Sequence, residues 1–529
     1  MGGFVALGSV MLRPPTFSGP IAKRAPNIFL PDALIRSHSL SKLPPDLLRM
    51  PLARDVLTED FVAYYEQNEN RMSFSGTLRR IAFEHKLDFP EKLLESVLNE
   101  PAEVALWRDD AGRLKDFVIV LSRNPLTRII QALLSPAVYA TDMQLFSAGK
   151  LDGTDVEMLV LSYGSGHHLL LLSKGDRIVA LSNPGMLLSE GNSQSAKAAE
   201  IIRELLDDEE PISPFAQHFL LEEPLGEKTH DLTLGTRAFA LNYDIFMPGL
   251  AALSLSFDDQ GAWQSAALLD GDHWQDDGES LWAALPHGAG LCAALPADWE
   301  EMAPALRKLN ARQPQQQTTA KEFTSSFAGP AGVCWYKEAK LYAPLFAARL
   351  TEDANKEKVE EFFDLAARAI KAKEGGTSTE PAEGIALWQG EIDSRFGSQN
   401  SSGSRTLKPA LAIQGDTVFF SPDAALVENA LAVAAKRYPA LSDSFPSKKG
   451  TTLAFVNPDA MAALLQDEMF AALPRNEEEL FRNAAEAYLV PRLKALARYS
   501  PQAVVLPKKI QSNGLAWYPL EWKETKPAH

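Results

Sequence analysis

At 529 residues the chain can hold two to four domains, each burying its own core. Its 46% hydrophobic and 23% charged residues are typical of folded globular proteins, which excludes disorder of the whole chain. A formal charge of −17 excludes nucleic acid as an expected partner and disfavours docking on anionic lipid, since both need clustered Lys and Arg.

The first elements are apolar. Gly2 to Leu12 (GGFVALGSVML) run straight into Arg13-Pro14-Pro15. Eleven residues are too few to span a bilayer, which needs about 20. The run reads as a remnant of a signal-anchor helix, which would give an N-terminal inner-membrane anchor, or as a frayed tail. No other stretch approaches membrane-spanning length, so a soluble body is expected. Residues 13–100 form an expected, mostly helical lead, with Pro-rich starts at Pro31-Asp32 and Pro44-Pro45-Asp46.

Beyond the lead the chain resembles itself. Pro101–Trp107 pairs with Pro330–Trp335, Val156–Leu161 with Gly384–Trp388, and Gly175–Val179 with Gly415–Phe419. Gly235–Asn242 pairs with Gly450–Asn457 without a gap, and Gln260–Trp263 with Asn513–Trp517. Five pairs in one order predict a duplication. The expected fold is therefore α/β of the α+β type, with two tandem repeats of antiparallel sheet and packed helices behind the helical lead. The repeats span 101–285 and 330–529. Between them, 286–329 is a helical connection and linker containing the polar run Arg312–Thr319.

Within the repeats, Tyr163-Gly164-Ser165-Gly166 and Lys174-Gly175-Asp176 read as hairpin turns. Asn124-Pro125, Asn183-Pro184, Ser421-Pro422 and Asn457-Pro458 read as helix starts, with Asn or Ser capping and Pro at the first helical position. Helices are predicted at Ala196–Leu206, Lys358–Lys371, Ala424–Arg437 and Glu477–Tyr499. Glu374–Glu383 and Gly397–Ser404 read as exposed loops.

The search for chemistry finds little. Ser165 lacks the first glycine of a hydrolase elbow, and a strand follows it. His167 and His168 are strand neighbours pointing to opposite faces. The weak calcium candidate is the acidic loop of Asp270, Asp272, Asp276, Asp277 and Glu279, which lacks regular loop spacing and reads better as solvated. No catalytic or cofactor-binding residue and no cofactor is assigned. Two cysteines, Cys292 and Cys334, exclude a multi-cysteine metal site. They could pair or stay as buried thiols.

The lead carries a family resemblance, through Leu34-Ile35-Arg36-Ser37, Leu43–Leu48, Pro51–Phe61, Gly76–His85 and Pro101–Trp107. These segments resemble an uncharacterised family of Gram-negative envelope proteins encoded beside the bacterial alpha-2-macroglobulin, in the macroglobulin operon. The resemblance implies a periplasmic location and protein partners, among them the macroglobulin and neighbouring operon products. The expected function is a non-enzymatic accessory protein of that envelope complex. The alternatives are an envelope hydrolase acting on peptides or peptidoglycan, and a small-ligand binding protein.

Overall fold

The fold was read from a computed structural model. It describes residues 28–56, 99–109, 114–122, 144–163, 167–189, 193–207, 212–226, 228–239, 249–273, 278–297, 316–369, 377–379, 385–389, 392–394, 405–445, 450–472, 490–507 and 514–525, with 16, 247, 299–300, 302–303, 486–487 and 510–511. Strand exceeds helix among them, 42% against 28%. The chain divides into two compact units. The first holds residues 1–50, 62–239 and 255–263, and the second holds 51–61, 240–254 and 264–529.

The first unit is built on β1 (Ala33–Ser37), β2 (Ala102–Arg108), β3 (Leu114–Ser122), β4 (Gln144–Lys150), β5 (Glu157–Tyr163), β6 (His167–Lys174), β7 (Arg177–Leu181) and β8 (Thr229–Gly235). All neighbours are antiparallel, in the order β8-β1-β2-β3-β7-β6-β5-β4. Helices α1 (Leu43–Leu47), α2 (Ala196–Leu205), α3 (Pro214–His218) and α4 (Thr236–Phe239) accompany it. Helix α2 forms because Ala198, Ile201, Ile202 and Leu205 repeat at helical spacing and are buried, while the Ser195 side chain accepts from the Ala198 N–H. Phe215 of α3 meets Trp107 of β2 edge-on, with centroids 5.7 Å apart.

The second unit takes up the division inside β9 (Leu250–Asp258) and at the head of β10 (Trp263–Asp270). Its strands are β11 (Ala289–Pro296), β12 (Phe327–Tyr336), β13 (Leu345–Leu350), β14 (Thr377–Thr379), β15 (Ile385–Gln389), the small hairpin β16 (Ile392–Ser394) with β17 (Arg405–Leu407), then β18 (Ala410–Gln414), β19 (Thr417–Ser421), β20 (Thr451–Val456), β21 (Gln502–Leu506) and β22 (Leu515–Glu524). Register places them in the order β14-β15-β18-β19-β13-β12-β11-β20-β21-β22-β10, all antiparallel. Its helices include α5 (Glu279–Ala284), α6 (Gln316–Thr324), α7 (Lys356–Ala369), α8 (Ala424–Ala434), α9 (Pro458–Ala472) and α10 (Val490–Leu496), besides the short helix Pro51–Val56. Leu281 and Trp282 of α5 and Leu426, Val427 and Ala430 of α8 pack on Ala294, Cys334, Ala347 and Phe419 of the sheet. On β11 and β12, Cys292 and Cys334 stand directly opposite and are joined by a disulfide, with Cα atoms 4.1 Å apart.

The expected α/β class with a helical lead is overturned. This is a mostly antiparallel sheet protein, and the lead supplies β1, which lies between β2 and β8. Pro31-Asp32 starts no helix. It feeds a strand, and the Asp32 carboxylate accepts from the Arg108 N–H at 2.7 Å. The structural reason is that alternation, which ties a segment to neighbouring strands, prevails over short helical stripes. Pro44 and Pro45 do open a helix, of only five residues.

Several local expectations resolve too. Both hairpins form, with β5–β6 closing on Tyr163↔His167 and β6–β7 turning at Gly175, where φ is 54°. Asn457 caps α9, accepting from the Ala460 N–H, but Asp423 rather than Ser421 caps α8. After Asn183 the turn is 3-10, Pro184–Met186. Gln316–Thr319 of the expected linker opens α6, and β14 lies in the segment read as loop. The gapless match of Gly235–Asn242 to Gly450–Asn457 fails, because β8 ends at Gly235 whereas β20 begins after Gly450. The predicted starts at Asn124-Pro125, most of Glu477–Tyr499 and the 397–404 loop lie outside the described residues. No helix among the described residues is long and apolar enough to cross a membrane.

Gly450 shows how tightly β20 is seated. Its φ is 106°, and an added Cβ would run into the Leu506 carbonyl oxygen and lie 2.7 Å from Val505 Cγ1. Gly450→Ala is expected to cost about 3 kcal/mol, from backbone strain plus the collision with β21. A shift of the urea midpoint reads it, and a loss under about 0.5 kcal/mol would contradict that seating.

Candidate functional site

Strand β1 organises the chemistry of the first unit because it is paired on both sides. Its register sets Ser37 opposite His230 of β8, and Arg36 opposite both Glu103 of β2 and Asp231 of β8. Consecutive strand residues point to opposite faces, so two polar groups form back to back.

On one side is a closed chain of three side chains. The Ser37 hydroxyl lies 2.8 Å from His230 Nδ1, and His230 Nε2 lies 3.1 Å from Asp46 Oδ2 on α1. A carboxylate oxygen only accepts, so Nε2 carries the proton and Nδ1 accepts from Ser37. Ser37 Oγ in turn accepts from the Ser39 N–H at 3.1 Å. Burial holds the His230 imidazole below its ordinary pKa, with the Asp46 hydrogen bond partly opposing this. Just past β1 the backbone bends, and the His38 ring lies against His230 with centroids 4.5 Å apart. His38 Nδ1 donates to the Thr229 carbonyl at 3.0 Å.

In composition this is the order of an activated serine, a base and an orienting acid. Its setting is different, because Ser37 and His230 are both 0% exposed. A substrate carbonyl cannot reach Ser37 Oγ without unpacking β1 from β8.

On the other side, Arg36 bonds Asp231 Oδ2 at 2.5 Å and the Glu223 carbonyl at 2.9 Å. The Ser213 hydroxyl donates to Glu103 while accepting from the Ala216 N–H at the start of α3. Burial pushes the Glu103 carboxyl above its ordinary value of 4.5, against the pull of Ser213, Arg36 and Arg177. Arg36, Glu103, Arg177 and Ser213 line a cleft of about 370 Å³ with Asp176, Val120 and Leu225. Raised in the folded state, Glu103 binds more protons folded than unfolded between 4.5 and its folded pKa, so stability falls as pH rises through that window. Glu103→Gln, which keeps an acceptor for Ser213, is therefore expected to raise the unfolding midpoint at neutral pH. The gain should vanish below pH 4.5, and an equal gain at both pH values would refute it.

The acidic calcium candidate lies only partly within the described residues. Asp270 ends β10 and its carboxylate accepts from the Asp272 N–H at 3.0 Å, while Glu279 begins α5. Asp276 and Asp277 lie outside the described residues. Among the described residues, three potential metal ligands come together at His38, Asp46 and His230. Sequence reasoning passed over these three, and also over Arg36 and Glu103 as chemical groups. Asp46 and His230 lie 184 residues apart, and only the β1–β8 register joins them.

Comparison with known proteins places the chain. Residues 11–522 match the family described as "Uncharacterized protein conserved in bacteria (DUF2138)". The chain belongs to that family. DUF2138 thus covers the site and both units. The chain is 30% identical over 522 residues to "Uncharacterized protein YfaA" of Escherichia coli (strain K12), covering 93% of this chain and 90% of that protein. No solved structure matches.

Proposed function

We propose that this DUF2138 protein is a non-enzymatic accessory protein of the periplasm, binding partners in a complex around a bacterial alpha-2-macroglobulin, possessing an N-terminal inner-membrane anchor and serving envelope defence against proteases. The observation that carries the reading is the Cys292–Cys334 bond, since structural disulfides belong to oxidising compartments. The closure of Ser37 supports a role without hydrolysis. The second unit also offers contact surface. Phe346 stacks on Phe420 with centroids 5.9 Å apart and is 43% exposed, and such aromatics are enriched where proteins meet. The macroglobulin itself is named by the resemblance in the lead segment.

Affinity capture of the tagged chain from lightly cross-linked envelopes, followed by mass spectrometry, tests the reading. Recovery of the macroglobulin or its operon neighbours, absent from a mock capture, is the expected result. A capture holding neither sinks it. The cleft of Arg36, Arg177 and Glu103 favours a second reading, a small-ligand binding protein, because about 370 Å³ with a few convergent polar groups is within the range of ligand pockets.

A further inference from the structure

We propose that His38, Asp46 and His230 bind one divalent transition-metal ion of the zinc class. One ligand atom from each lies within 4.8 Å of the others. Two imidazole nitrogens and one carboxylate oxygen are the donor set such ions prefer, whereas calcium and magnesium take oxygen shells. Around a tetrahedral zinc with bonds of about 2.0–2.1 Å, ligand atoms sit about 3.3 Å apart. His230 Nε2 and Asp46 Oδ2 already stand at 3.1 Å, and His38, whose ligand atom lies within 4.8 Å of the others, has to close by at most about 1.5 Å.

The second atoms of these side chains are held as a metal site requires. A ligating histidine fixes its lone pair by engaging its other nitrogen. His38 donates Nδ1–H to the Thr229 carbonyl, which leaves Nε2 as a bare lone pair. His230 turns Nδ1 to Ser37, whose hydroxyl can donate or accept. When an ion takes Nε2, the imidazole changes tautomer and Nδ1–H donates to Ser37 Oγ, so no proton has to leave the site. Asp46 Oδ1 faces Arg49 Nη1 at 3.3 Å, and the Arg49 side chain is 53% exposed, so solvent screens its charge from the ion. Of the three ligands, His38 alone is not fully buried, which makes its side the entry. The chain's net charge of −17 favours cations nearby.

The test uses the full, untagged chain after chelator stripping, titrated with Zn²⁺ by calorimetry and with Co²⁺ by visible absorption. One equivalent of each is expected, with a four-coordinate Co²⁺ spectrum and a Zn²⁺-dependent rise in melting temperature. His38→Ala, at a partly exposed position that leaves the buried chain intact, should weaken Zn²⁺ binding by more than about tenfold and abolish the rise. His287→Ala, at a histidine that is not one of the three ligands, should bind as the parent does. A stripped parent that takes up no Zn²⁺ overturns the proposal, and so does a His38→Ala variant that binds one equivalent with unchanged affinity.

Discussion

Replacing both cysteines, Cys292→Ala with Cys334→Ala, is expected to lower stability by about 2–4 kcal/mol. The two residues are 42 positions apart, and in the chain-entropy picture a loop of that length is worth about 4 kcal/mol. Both sulfurs lie in the core beneath α5 and α8 and are 0% exposed, so reductant should reach them only when the second unit opens. Protein exported to an oxidising compartment should show no titratable thiol in denaturant before reduction and two after it. The same chain made in a reducing cytosol should show two from the start and unfold at lower urea. Two free thiols in the exported protein, or an unchanged midpoint in the double variant, would contradict the bond. The first of these outcomes would also remove the main support for the periplasmic reading.

That bond marks where sequence reasoning stops. Composition limited the cysteines to a pair or two thiols, but deciding between them needed the register that sets Cys292 opposite Cys334. Local signals were readable where the chemistry is local. Gly175 turns its hairpin with φ of 54°, and Asn457 caps the helix that follows it. Fold class was misread because Pro31-Asp32 and Pro44-Pro45 looked like successive helix starts. The short run Ala33–Ser37 between them gains its strand partners from residues 102–106 and 230–234. The site was illegible for the same reason, since Ser37 and Asp46 acquire their roles only when β8 brings His230 between them. The acidic loop, by contrast, was conspicuous because its charges are adjacent. Adjacent charges are what a solvated turn tolerates, and within that turn the Asp270 carboxylate accepts from the Asp272 backbone N–H.

Removing the middle member of the buried chain should be nearly as costly as removing the disulfide. His230→Leu fills most of the space and keeps β8 apolar, so the loss measures the polar network. Asp46 Oδ2 loses its donor at a site where the Asp46 side chain is 4% exposed, and the Ser37 hydroxyl loses its acceptor. A buried carboxylate oxygen deprived of its donor costs more than a neutral orphan, and the exposed Arg49 at 3.3 Å from Oδ1 offsets only part of this, which puts the expected loss at about 3 kcal/mol. Ser37→Ala should cost only about 1 kcal/mol, since His230 keeps its bond to Asp46. Asp46→Asn retains an acceptor for Nε2–H and should fall between the two. Added to His230→Leu, it should restore part of the loss, because the orphan is then uncharged. Urea midpoints of the four variants, taken on chelator-stripped protein, separate these terms. If His230→Leu stays within about 0.5 kcal/mol of the parent, the chain is not what holds α1 and β1 against β8. If the double variant is no better than His230→Leu alone, the orphaned charge is not the source of the loss.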